Sequence, residues 1–231
     1  PEYSGTFNNR GLAKSELGRY EEAIIDLDEA IKLDSKSESA FNNRGLAKSE
    51  LGRYEEAIKD YDEAIRINPK YSLAFNNRGY TKNELGKYEE AIKDYDEVIK
   101  LDPKNDSAFN NRGLAKSKLG KQEEAINDYD EAIKLDPKYS SAFFNRAYSK
   151  DELGQHEQAI KDYDEAIKLD PKNFNAFFNR AITKNELGKY EESIKDYDEV
   201  IKLDPKYSGA FFSRAIAKDE LGKKEEAIND Y

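Results

Sequence analysis

The sequence predicts an all-α protein built as a solenoid of stacked, antiparallel helix pairs. A Phe-x-x-Arg motif recurs seven times at intervals of 34 residues, and each copy is followed in register by Leu-Gly. A fixed period of this length is typical of an array of stacked supersecondary units that has no single central core. No segment shows the sustained alternation that a β-strand requires. The motif begins at Phe7, Phe41, Phe75, Phe109, Phe143, Phe177 and Phe211.

The composition is acidic and highly charged. The 231 residues carry a formal net charge of −10, and 37% of them are charged. A thin solenoid exposes more surface than a globular core and tolerates this charge. Because phosphate would be repelled, we predict no nucleic-acid partner and no binding to an anionic membrane. No apolar run approaches the length of a membrane span. The chain lacks Cys and Met and begins at Pro1 within a repeat, so we interpret it as a fragment of a longer array. Its compartment stays undetermined, with the cytoplasm as the default.

The first half of each repeat predicts one short helix. In the second copy, Phe41 and Gly45 fall on one arc of a helix over residues 40–51, whereas Asn43 falls on the other arc. Gly52 follows the last apolar residue. Glycine at this place is the usual left-handed stop of a helix.

The second half of each repeat predicts an amphipathic helix. In the second copy it starts near Tyr54 and ends at Ile67, because Pro69 bars its continuation. Two acids in the first turn suit the helix dipole. The loops are short, so the two helices of a repeat are expected to be antiparallel neighbours. The apolar stripe consists of Tyr54, Ala57, Ile58, Tyr61, Ala64 and Ile65.

The period and the residues at fixed places within it resemble the tetratricopeptide repeat family. The matching residues in the second copy are Phe41, Arg44, Gly45, Lys48, Ala57, Tyr61 and Pro69. The resemblance covers the whole chain and implies one array over residues 1–231. It further implies a right-handed superhelix whose concave wall is formed by the first helices, where members of the family typically bind extended peptides or partner helices. The implied repeats are 4–37, 38–71, 72–105, 106–139, 140–173 and 174–207, with a partial repeat 208–231.

An Arg stands where the family carries Leu, on the arc that faces the second helix. A buried guanidinium needs an acceptor. One row of Asp residues lies beside the apolar stripe of the second helix. We interpret it as the only acid that recurs strictly enough to be the acceptor for the Arg. We therefore predict structural ion pairs between the two helices of each repeat; the alternative is that both side chains face solvent. The pairs are Arg10–Asp26, Arg44–Asp60, Arg78–Asp94, Arg112–Asp128, Arg146–Asp162, Arg180–Asp196 and Arg214–Asp230.

The predicted concave wall carries a regular row of asparagines. A side-chain amide donates and accepts at once, so the row is suited to holding a peptide backbone. It resembles an asparagine ladder known from other arrays of this family. The alternative is that each Asn bonds a neighbouring helix or loop and sets the stacking angle. The row consists of Asn9, Asn43, Asn77, Asn111, Asn145 and Asn179.

Beside this row, the wall changes character along the chain. We predict a polar groove in the first half and an apolar contact surface in the second half. The alternative is that the Phe residues only tighten contacts between adjacent first helices. The polar positions are Asn8, Asn42, Asn76 and Asn110, and the later repeats carry Phe144, Phe178 and Phe212 in their place. A neighbouring position carries Tyr148, Ile182 and Ile216 in these later repeats.

No motif predicts catalysis. The only His is His156, at a position held by Tyr, Gln or Lys in the other repeats, so we interpret it as an exposed spacer. With no Cys and one His, the sequence predicts no enzyme, no metal site and no cofactor. We expect a scaffold that binds a protein or peptide in the concave groove. The alternative is a structural module that self-associates end to end through uncapped terminal repeats.

Overall fold

The computed structural model describes residues 2–231, and side chains from residue 3 onward. This part of the chain contains α-helices and no β-strand, which confirms the predicted all-α solenoid of helix pairs. No helix in it is both long and apolar enough to cross a bilayer. The first helices of the repeats are α1 (Glu2–Glu16), α3 (Glu38–Glu50), α5 (Ser72–Glu84), α7 (Asp106–Lys118), α9 (Ser140–Glu152), α11 (Phe174–Glu186) and α13 (Ser208–Glu220). The second helices are α2 (Tyr20–Leu33), α4 (Tyr54–Ile67), α6 (Tyr88–Leu101), α8 (Gln122–Leu135), α10 (His156–Leu169), α12 (Tyr190–Leu203) and α14 (Lys224–Ile228).

The helices form two compact units. Unit 1 ends at Leu119 and contains α1 to α7; unit 2 is Gly120–Tyr231 and contains α8 to α14. Within each unit, every helix packs against the next one along the chain. The first helices of consecutive repeats also touch, as α3 does with α5 in unit 1 and α11 with α13 in unit 2. Each unit therefore has a core that is distributed between neighbouring helices.

In the second repeat, the two ends of the first helix, α3, follow from two local signals. Gly52 adopts φ 73°, and its N–H donates to the carbonyl of Ser49 while that of Arg53 donates to the carbonyl of Lys48. This is the Schellman arrangement, which confirms the predicted stop. The helix begins two residues earlier than predicted, at Glu38. The reason is that Ser37 caps it, with its hydroxyl accepting from the N–H of Ala40.

The contact between the two helices of a repeat combines small and large side chains. Tyr61 and its neighbours Ala57 and Ala64 are fully buried. A Cβ atom at Gly45 would lie 2.7 Å from Cε1 of Tyr61, which is closer than real Cβ contacts allow. The absence of a side chain at Gly45 therefore permits the close approach of α3 and α4.

Candidate functional site

The Arg and Asp residues of the predicted ladder meet between the two helices of a repeat. Nη2 and Nε of Arg44 donate to the two carboxylate oxygens of Asp60 at 2.5 and 3.0 Å. Asp60 is buried, and this fork-to-carboxylate geometry is the strong, bidentate form of the interaction. The structure brings together in the same way Arg10–Asp26, Arg44–Asp60, Arg78–Asp94, Arg146–Asp162, Arg180–Asp196 and Arg214–Asp230.

Two partners of these pairs were missed. Nζ of Lys48 lies 2.7 Å from Asp60, and Nη1 of Arg44 lies 2.6 Å from Asp28 of the preceding repeat. Asp28 belongs to a second Asp row at the same 34-residue spacing, so the interpretation that only one acid recurs strictly was wrong. The ring of Phe41, 5.4 Å from the guanidinium carbon, covers a further side of Arg44. The ion ladder therefore joins consecutive repeats as well as the two helices of one repeat.

The buried carboxylate of Asp26 is held in its charged form. Hydrogen bonds from Arg10, and then from Lys14, lower the pKa of Asp26 to about 2, although burial of the carboxyl opposes this shift. Asp26 is 3% exposed. An acid whose oxygens accept from two cations in this way is occupied within the fold, which agrees with the structural role predicted for the ladder.

Two asparagines of the predicted row contact the preceding first helix. In unit 1, Nδ2 of Asn43 donates to Oδ1 of Asn8, and Nδ2 of Asn77 donates to Oδ1 of Asn42, each at 3.0 Å. Asn42 is buried. These are contacts between repeats, as the alternative interpretation expected; the clamping of a peptide stays a prediction. Asn9 is exposed, and the half-buried members are Asn43, Asn77, Asn111, Asn145 and Asn179.

The three Phe residues that replace Asn in the later repeats each lie against a tyrosine. The ring centroid of Phe144 lies 5.9 Å from that of Tyr163. Phe178 lies 5.9 Å from Tyr197 and meets Tyr207, at the start of the next first helix, edge to face at 5.0 Å. These half-buried rings tighten the packing within and between repeats. Phe212 meets Tyr231 edge to face at 5.9 Å and differs from the other two in that 58% of it is exposed.

In every repeat, the residue that follows the position equivalent to Gly45 is apolar and lies toward the surface of the first helix. We call these residues the apolar row. In unit 2 it includes Tyr148, 44% exposed, and Ile216, 40% exposed. Unit 1 does not present the polar surface that was expected, because Tyr80 in the same register is 51% exposed. The members are Leu12, Leu46, Tyr80 and Leu114 in unit 1 and Tyr148, Ile182 and Ile216 in unit 2. Of these, Leu46 and Ile182 are half-buried.

His156 is not the exposed spacer that was expected. Its side chain is 27% exposed, with Nδ1 2.8 Å from Oδ1 of Asp151 and 3.4 Å from Oε2 of Glu186. The hydrogen bond to Asp151 raises the pKa of His156. The expectation failed because Asp151 replaces the Ser or Asn that most other repeats carry five residues before this position, which gives the imidazole a carboxylate partner.

Comparison with known proteins identifies the repeat. The family profile described as TPR repeat matches residues 11–52, 79–120 and 152–184, together just over half of the chain. A second profile, described as Tetratricopeptide repeat, matches residues 39–71, 107–139 and 174–207. A search of curated proteins finds no significant match.

Solved structures share the fold at low sequence identity. A tetratricopeptide repeat protein from Parabacteroides merdae is 21% identical with a TM-score of 0.78, covering 100% of this chain and 91% of its own. Pseudomonas aeruginosa PilF is 18% identical with a TM-score of 0.79, and the match covers 96% of this chain and 98% of its own. YrrB, a TPR protein with an unusual peptide-binding site, is 20% identical with a TM-score of 0.64, covering 80% of this chain and 95% of its own. With its repeats matched by family profiles and its helix pairs matched by these structures, the chain belongs to the tetratricopeptide repeat family.

Proposed function

We propose that the chain is a protein-interaction scaffold that binds an extended segment of a partner protein along the first helices of a unit. The observation that carries the proposal is the apolar row. Every first helix contributes one member, and Tyr80, Tyr148 and Ile216 remain about half exposed although the rest of the chain is rich in charge. Apolar side chains that recur at one place on a polar surface are typical of contact sites.

The energetics favour a partner segment with several apolar residues. Full burial of one such side chain contributes about 1.5–3 kcal/mol, and those of the row are already partly buried. Contacts at two or three repeats are therefore needed for micromolar affinity, after the cost of association is subtracted. The description of YrrB as a peptide-binding TPR protein supports this assignment by likeness of fold.

The asparagine row supplies the polar part of the proposed surface. Asn77 uses one of its two amide hydrogens for Asn42. The second hydrogen is able to donate to a peptide carbonyl, because a side-chain amide carries two donors. The proposed partner is thus held by apolar side chains at some places and by its backbone at others. An acidic segment is disfavoured by the net charge of −10.

A peptide-display selection tests this proposal. Random 12-residue peptides are selected on the chain, and their affinity is then measured for a triple variant of the row, Tyr80→Ser, Tyr148→Ser and Ile216→Ser. We expect a loss of at least about tenfold, since about 1.4 kcal/mol of lost contact gives this factor. The control is a triple variant of exposed residues on second helices, Lys93→Ser, Lys161→Ser and Lys195→Ser, which should change affinity less than about twofold. Peptides that bind all three proteins alike would contradict the proposed surface.

A second candidate function is end-to-end self-association of the 231-residue chain, which two exposed aromatic residues favour. Tyr3 occupies the same place in its repeat as Tyr207 and is 74% exposed. Phe212 occupies the same place as Phe178, which packs edge to face on Tyr207. Phe212 of one copy and Tyr3 of another are therefore able to repeat this contact, in a heterologous association that does not close.

Sedimentation velocity over a range of concentrations tests the second candidate. We expect the average mass to rise with concentration and to remain monomeric in Tyr3→Ser. The control is Tyr80→Ser, which removes an exposed Tyr away from both ends and should leave the association unchanged. A monomeric mass at every concentration would remove self-association as a function and would leave peptide binding untouched.

A further inference from the structure

The geometry points to a binding site for a divalent transition-metal ion, of the zinc class, formed by Asp151, His156 and Glu186. Asp151 lies in the last turn of α9, His156 is the first residue of α10, and Glu186 is the last residue of α11. All three lie in unit 2, and one ligand atom from each lies within 4.8 Å of the others. The site would connect the fifth repeat to the sixth.

The distances suit a tetrahedral ion. Ligand atoms bound to zinc at about 2.0–2.2 Å lie roughly 3.3 Å from one another. Nδ1 of His156 is 3.4 Å from Oε2 of Glu186, which already fits this spacing, and 2.8 Å from Oδ1 of Asp151. The ion would take the place of the proton between the imidazole and the carboxylate. This requires about half an ångström of opening between His156 and Asp151.

The carboxylate of Asp151 is oriented by a buried neighbour. The hydroxyl of Thr183 lies 2.9 Å from Oδ2 of Asp151, and Thr183 is fully buried. This contact holds Oδ2, whereas Oδ1 lies toward His156. Hydrogen bonds of this kind orient the ligands in metal sites, and their loss commonly costs about 10–100-fold in metal affinity.

The equivalent positions in unit 1 carry a different set of residues, so this set of ligands is specific to the fifth and sixth repeats. In the first two repeats, the same three positions are Ser15, Tyr20 and Glu50, which line a surface notch of about 280 Å³. Only Glu50 among them is a strong metal ligand. In unit 2, Asp151 stands in place of the Ser and His156 in place of the Tyr, so a group with one ligand is replaced by a group with three.

The ligand set indicates which class of ion the proposed site would bind. Imidazole nitrogen with carboxylate oxygen suits Zn²⁺, Cu²⁺ or Ni²⁺, whereas Mg²⁺ and Ca²⁺ prefer oxygen alone. Three protein ligands leave one position of a tetrahedral ion for water or for a side chain of a partner. This proposal replaces the expectation that a chain with one His has no metal site.

A zinc titration followed by NMR tests the site directly. Because His156 is the only His, its imidazole supplies the one set of histidine ring resonances. We expect Zn²⁺ to shift these resonances and to saturate at one equivalent, and Mg²⁺ to leave them unchanged. In Asp151→Ser, we expect zinc affinity to fall at least about tenfold. This variant restores the residue that the first repeat carries at Ser15, so the fold should persist.

Calorimetry with matched variants distinguishes this site from binding to surface acids. Zinc binding is expected to be lost in His156→Tyr, which restores the Tyr of other repeats, and to weaken in Glu186→Gln. Glu50→Gln changes the equivalent acid in unit 1 and should leave the affinity unchanged. Unshifted His156 resonances would overturn the proposal, and so would equal zinc affinity in all of these variants and the unaltered chain.

Discussion

Nη1 of Arg44 lies 2.6 Å from Oδ1 of Asp28, a residue on the second helix of the preceding repeat. The same guanidinium donates through Nε and Nη2 to Asp60 of its own repeat. One side chain therefore ties three consecutive helices, α2, α3 and α4, to one another. Arginine suits this role because its planar fork directs donors to two carboxylates at once, which a lysine ammonium on the same stem does not reproduce.

The two carboxylates that hold Arg44 should differ in their contribution to stability. Asp60→Ala leaves two largely buried cations, Arg44 and Lys48, without their shared acceptor, and we expect a loss of about 3–5 kcal/mol in the free energy of unfolding. Asp28→Ala should cost less than about 1 kcal/mol, because the side chain of Asp28 is 56% exposed. Urea unfolding followed by circular dichroism measures both values. Equal losses would show that the difference in burial does not determine how much each ion pair contributes to the free energy of unfolding.

The close approach of α3 and α4 predicts opposite effects for two glycines. Gly45→Val should destabilise the protein by about 1–3 kcal/mol or more, since the new side chain meets the ring of Tyr61. Gly5→Val is the matched control, because a Cβ at Gly5 meets nothing within 4 Å. It should be neutral or slightly stabilising, as Val forms a helix more readily than Gly. Thermal unfolding of the two variants makes the comparison, and similar shifts in Tm would argue against steric exclusion at Gly45.

The ion pairs of Asp26 with Arg10 and Lys14 predict a loss of stability in acid. The folded-state pKa of Asp26 is about 2, below the ordinary value of 3.8. The unfolded chain therefore binds a proton at this site at higher pH than the folded chain does. The contribution of Asp26 is fully present above about pH 4 and is lost as the pH falls toward 2.

Unfolding of the unaltered chain and of Asp26→Asn, measured from pH 6 to pH 2, isolates this contribution. We expect the difference in free energy between the two proteins to shrink as the pH falls through this range. A difference that stays constant would indicate that Asp26 titrates alike in the folded and unfolded states.

The asparagine row predicts a structural effect that is separable from peptide binding. Asn77→Ala leaves the buried Oδ1 of Asn42 without its donor, so we expect a loss of about 1–3 kcal/mol in the free energy of unfolding. Asn9→Ala changes an exposed member of the row and should cost less than about 0.5 kcal/mol. Urea unfolding tests both. An Asn77→Ala variant of unchanged stability would show that this contact contributes little to the stacking of the first helices.

Local signals in the sequence were sufficient to predict where the helices lie. The helix predicted from Tyr54 to Ile67 has these bounds in the structure, because its apolar period and the following proline act within a few residues. The start of α3 was predicted two residues late, since the cap at Ser37 is a hydrogen bond of one hydroxyl and not part of the repeating pattern. The pairing of Arg44 with Asp60 was likewise predictable, because both residues belong to one repeat whose helices are adjacent.

The sequence by itself determined the family, the helix pairs and the rows of residues that recur along them, because each of these follows from periodicity along the chain. Only the tertiary structure decided which rows meet across repeats. Arg44 contacts Asp28, Asn77 contacts Asn42, and His156 contacts Asp151 and Glu186 because stacking sets the angle and offset between neighbouring helices. A linear period specifies where a side chain lies on its own helix, whereas its partner on the next repeat depends on how the side chains of both helices pack together.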